Sequence, residues 1–67
     1  MKLLTCTGKL VDNWGKPLTR EGEIYAAVPC GSDWLVFGTV LIDGRRYVDT
    51  RSNGRLVSDR MLENHFE

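Results

Sequence analysis

The chain is short of the residues on which most small catalytic and metal-bearing domains depend. It has one histidine, two cysteines and two prolines in 67 residues. A structural zinc site takes four ligands, whereas Cys6, Cys30 and His65 offer three and form no CxxC pair. Zinc and dithiol redox chemistry are therefore not expected, and the cysteines read as free, partly buried thiols. Charge of one sign is also missing: nine Lys and Arg side chains meet nine Asp and Glu, for a formal net charge of zero. A dedicated duplex-binding domain needs a basic excess to neutralise phosphates. Long apolar runs are absent too. In Met1-Lys2-Leu3-Leu4-Thr5-Cys6 the run is Leu3-Leu4, far short of the roughly seven residues of a signal-peptide core. A cytoplasmic protein with no membrane partner is expected.

What is present is a single domain, residues 1–67, rich in turn signals and β-formers. Residues 2–7 fit a first strand ending at Gly8. Residues 8–22, with Asp12-Asn13, Gly15, Pro17 and Gly22, are too punctuated for a helix and read as a long curled loop. Residues 23–28 alternate, with Ile24, Ala26 and Val28 on one face and Tyr25 and Ala27 on the other, and Pro29 is expected to stop the ladder. Cys30-Gly31-Ser32-Asp33 reads as a turn. Residues 34–42 give the strongest strand signal, with Gly38 as a bend, and Asp43-Gly44 is a type I′ hairpin signal. Residues 45–50 form its partner, Arg51-Ser52-Asn53-Gly54 a further turn, and residues 55–57 a last short strand. Ser58 is a good N-cap for a short helical or 3-10 turn carrying Met61, Leu62 and Phe66. The expected fold class is all-β, a small barrel of about five short strands, because closure removes edges that would otherwise pair with other chains.

Pro29-Cys30-Gly31-Ser32-Asp33-Trp34 resembles the run around the nucleophile of papain-type proteases, but Asp33 stands where that family has its nucleophilic cysteine. The distant histidine has no room in this chain either. Catalysis needs a nucleophile or base with an orienting partner in a pocket, and a barrel this small is filled by its own side chains. No enzyme and no cofactor are expected.

A second resemblance is carried by Gly22-Glu23-Ile24-Tyr25, Ser32-Asp33-Trp34 and Asp43-Gly44-Arg45-Arg46-Tyr47-Val48. In order and spacing these are similar to the RT-loop exit, the tryptophan after the n-Src loop and the strand after the distal turn of SH3-type barrels. Leu18-Thr19, Gly22, Tyr25 and Phe66-Glu67 also resemble landmarks of small SH3-like proteins of bacteria and phages. The resemblance implies an SH3-like barrel whose Trp34 faces a ligand groove and, for a phage-type protein, modulation of a host protein. The Ala-Leu-Tyr-Asp-Tyr segment of peptide-binding members is missing, and Asp49 replaces the proline that follows the aromatic-Val pair. Two aromatic suppliers of a proline-rich peptide groove are thus gone.

The candidate protein-binding residues are Trp34, Tyr25, Trp14 and Tyr47. Trp34 reads equally as core or as an exposed anchor of the kind enriched in binding hot spots. Trp14, in a Gly/Pro/Asn loop, either staples the loop to the barrel or meets a partner; stapling is favoured because small barrels need every apolar group. Arg45, Arg46, Arg51 and Arg55 alternate with Asp43 and Asp49 and read first as a solvated, self-paired face; a narrower reading has Arg51 and Arg55, which flank one turn, together holding an anion, a phosphate or carboxylate. His65 is given no role. The leading expectation is a non-catalytic module that docks on a larger protein through Tyr25, Trp34 and neighbouring loops. The alternative is single-stranded nucleic-acid binding, with these four arginines on phosphates and Tyr47 or a tryptophan stacking on bases.

Overall fold

The computed structural model describes residues 1–51 and 54–67 and orders them as β1 (Lys2–Thr5), β2 (Ile24–Cys30), β3 (Asp33–Ile42), β4 (Arg45–Val48), β5 (Arg55–Ser58) and α1 (Asp59–His65). Two dipeptides set the register of the centre. Between β2 and β3 the Cys30–Asp33 pair closes on Gly31-Ser32, where Gly31 takes φ 62°. Glycine first in a two-residue loop suits the twist of the flanking strands. Between β3 and β4, Asp43 and Gly44 take φ 50° and 78°, the two positive values a type I′ turn requires.

Pro29 does not end its strand. It lies within β2 opposite Trp34, beyond the reach of β1, which stops opposite Ala27. With only one neighbouring strand there, β2 tolerates the missing N–H. Gly38 marks a change of partner. Its β2 ladder ends at the Tyr25–Gly38 pair, and β4 takes over from Thr39.

β4 pairs with Thr39–Ile42 and β5 with Asp33–Val36, so both run antiparallel to successive halves of β3. Residues 49–54 intervene where two residues opposite Gly38 and Phe37 would carry an unbroken ladder. The turn expected at Arg51-Ser52-Asn53-Gly54 falls on Ser52 and Asn53, which lie outside the described residues. At its edge, Phe37 lies across the strand from Gly54. A Cβ on that glycine would sit 2.7 Å from the phenyl ring, the arrangement in which an aromatic covers a backbone left bare by glycine.

α1 starts where the sequence places it. The Ser58 hydroxyl accepts from Met61 N–H, Asp59 occupies the first turn, and the helix ends at Phe66. The chain then returns to β1: Thr5 N–H donates to the Glu67 carbonyl and Glu67 N–H to the Thr5 carbonyl, each at 2.8 Å. His65 helps hold this return, its Nδ1–H donating to the Gly8 carbonyl at 2.8 Å.

The result is one antiparallel sheet of five strands with a C-terminal helix on one face. That face carries the core: Cys6, Leu10, Tyr25, Ala27, Val36, Val57, Leu62 and Phe66, with Leu4, Leu18 and Trp34 packed against it. The opposite face buries Ala26 but leaves Leu3, Leu41 and Leu56 more than half exposed. Among the described residues no helix is long and apolar enough to cross a membrane. Both cysteines are free, Cys6 buried and Cys30 exposed.

Candidate protein-binding site

The long loop between β1 and β2 contains a small hairpin of its own. Leu18 N–H donates to the Leu10 carbonyl at 2.7 Å, Val11 bridges Pro17, and Asp12 N–H donates to the Lys16 carbonyl at 3.0 Å. Its base is fixed in the core by Leu10 and Thr19. The buried Thr19 hydroxyl accepts from Leu10 N–H at 2.8 Å and from the Cys6 thiol at 3.4 Å.

The tip is fixed by a single carboxylate. Asp12 Oδ1 accepts from Trp14 N–H at 2.9 Å and from Lys16 N–H at 2.8 Å. Aspartate favours such local turns because its short side chain reaches backbone groups a few residues ahead. Gly15, at φ 79°, donates to the Asp12 carbonyl at 3.1 Å and completes the reversal. On this held backbone the Trp14 side chain is 88% exposed. Trp14 is therefore no staple. The apolar contacts that tie the loop down come from Leu10 and Leu18 at the hairpin base, and the tip turns Trp14 away from them.

Tyr25 is a core residue. Its ring meets Phe66 edge-on at 5.6 Å between centroids, and its hydroxyl accepts from Arg20 N–H at 2.9 Å and donates to Glu23 at 3.4 Å. Burial, together with the nearby Glu23 carboxylate, raises its pKa above the ordinary tyrosine value, outweighing the Arg20 N–H that favours the phenolate. Trp34 sits between the two expectations, half-buried at the core rim. Its indole N–H donates to Asp59 at 3.0 Å, and Lys2 lies 4.9 Å over its ring. One ring face is thus covered by a cation, and its polar atom is satisfied within the chain.

Tyr47 lies on β4 opposite Val40 and is about half exposed. The arginines do not share a face. Arg45 and Arg46 are consecutive on a strand, so their side chains leave opposite sides of it. Arg46 donates to the Thr39 hydroxyl at 2.9 Å, Arg51 pairs with Asp49 at 3.3 Å, and Arg55 stands opposite Val36 on β5. Among the described residues no cluster of three or more His, Cys, Asp or Glu side chains suits a metal ion.

The residues that the sequence reading passed over are Asp12, which fixes the tip, and Asp59 and Lys2, which engage Trp34. An Asp three residues before a glycine is the signal that identifies the first. Asp59 and Lys2 have none, since both meet Trp34 only through the sheet. Comparison with known proteins found no family model, no curated protein and no solved structure that matches this chain.

Proposed function

We propose that this protein is a non-catalytic interaction module of SH3-like type that docks on a larger protein, with Trp14 as its anchor. The observation that carries this reading is an indole 88% exposed on a backbone tip locked by Asp12. The isolated fold gains almost nothing from that side chain, while a partner pocket that buried it would remove roughly 150–250 Å² of largely apolar surface from water. A tip already ordered loses little further entropy on binding. Tryptophans in this role often contribute about 2 kcal/mol or more, equivalent to about thirtyfold in affinity. The SH3-like part of the reading is supported by the chain order: a long loop between β1 and β2, two tight hairpins, a short helix, and a return of Phe66-Glu67 to β1. By the same resemblance, the partner is a host protein that the module modulates.

The test is affinity capture from a lysate of the natural source or host, with nuclease present, comparing wild type and Trp14→Ala. Trp14→Ala is expected to melt within a few degrees of wild type, since exposed substitutions stay within about 0.5 kcal/mol, yet to lose a stoichiometric protein partner. Retention of that partner by the folded variant sinks the proposal. Nucleic acid in the eluate that disappears at raised salt favours the arginine reading instead.

A further inference from the structure

A second feature lies apart from Trp14. On the core side of β2 and β3, beneath the segment that leads out of the hairpin, is a cavity of about 440 Å³. Leu18, Tyr25 and Val36 form apolar wall, Gly38 part of the floor, and Glu23 and Arg55 bring the charges. The volume falls within the usual range for small-molecule sites, roughly 300–1,000 Å³.

Gly38 is the informative residue. Glycine weakens the interior of a strand and normally marks a left-handed backbone or a close approach by another group. Gly38 shows neither: its φ is not positive, and a Cβ built on it would meet nothing within 4 Å. Gly54, which also borders the cavity, is different, because a Cβ there would press on Phe37. Neither a left-handed backbone nor a close contact requires the glycine at 38, where β3 also changes partner, and its missing side chain helps leave the cavity open.

The charges define what would fill it. Glu23 is already engaged, by the Tyr25 hydroxyl at 3.4 Å and by Arg20 at 4.0 Å. The Arg55 guanidinium has no hydrogen-bond or ion-pair partner among the described residues, so it is the uncommitted charge, and its planar fork matches a carboxylate. We propose that this cavity binds a small organic carboxylate, its aromatic or branched apolar body against Leu18, Tyr25 and Val36 and its carboxylate on Arg55.

The experiment is an amide-resolved NMR titration with phenylacetate and, separately, its neutral analogue phenylacetamide. Wild type is expected to show saturable shifts centred on Gly38, Gly54 and Leu18, with Kd on the order of 1 mM, ordinary for so small a ligand. Phenylacetamide is expected to bind about tenfold more weakly, the usual scale of one charge-assisted hydrogen bond. Arg55→Gln should weaken phenylacetate by a similar factor and leave phenylacetamide unchanged. Gly38→Val, or Gly38→Ala if the valine variant does not give a dispersed spectrum, should bind neither. The proposal is overturned by the absence of saturable shifts in wild type, by equal affinity for acid and amide, or by undiminished binding in the folded Gly38 variant.

Discussion

Tyr25 shows how one residue's surroundings decide its role. Its hydroxyl is the acceptor for Arg20 N–H, and its pKa is raised mainly because burial disfavours the phenolate. The folded state therefore holds the phenolic proton more tightly than the unfolded chain does. The stabilisation is fully present below the unfolded tyrosine pKa of about 10 and is lost as pH rises through the higher folded value. Urea unfolding should show wild type losing stability relative to Tyr25→Phe as pH rises above about 10. The phenylalanine variant should itself be weaker at neutral pH by about 1 kcal/mol, since Arg20 N–H exchanges its partner for water. Parallel pH profiles for the two proteins would remove Tyr25 as the cause. The alternation of residues 23–28 was legible in the sequence, but which face met the core was not. Both faces of β2 are apolar, and the choice is made by Leu10, Leu18 and Phe66, which arrive from distant parts of the chain.

At the scale of elements, structure set within a few residues is visible in the sequence, and structure set by a side-chain clamp is not. Asp43-Gly44 and the Ser58 cap act through backbone geometry within a few residues, so their turn and helix start appear where the sequence indicates. The hairpin inside residues 8–22 was missed because it rests on one bridge, Val11 to Pro17, and on a side-chain clamp, with no alternating strand to announce it. Asp12→Ala tests that clamp. Removing the carboxylate frees the Trp14 and Lys16 amides at an exposed tip, where water replaces the lost bonds. The expected cost to global stability is about 1 kcal/mol or less. Hydrogen exchange at those two amides should accelerate while amides of β2 and β3 keep their protection, and partner affinity should fall although Trp14 itself is intact, because the tip must now be ordered on binding. Unchanged exchange at Trp14 and Lys16 would mean that the backbone bonds alone hold the tip.

For the whole molecule the decisive contact joins the two ends of the sequence. The resemblance had singled out Phe66-Glu67 as a landmark, but no local pattern signals that these residues pair with Thr5–Thr7 or that Phe66 fills the core beside Tyr25. That pairing is nonlocal, and it also holds α1 against β5 and β3, whose core face would otherwise lose its cover. A 67-residue chain has a stability of roughly 3–10 kcal/mol at the usual per-residue scale. Truncating a buried phenylalanine costs about 3–5 kcal/mol before any lost backbone bond is counted. Deleting Phe66 and Glu67 is therefore expected to abolish the cooperative thermal transition followed by near-ultraviolet circular dichroism. Glu67→Ala keeps the backbone groups that bond Thr5 and should melt within a few degrees of wild type. Trp14→Ala, although it removes a larger side chain, should do the same. A cooperative melt near the wild-type temperature for the chain lacking residues 66 and 67 would show that the sheet and helix hold together without the return to β1.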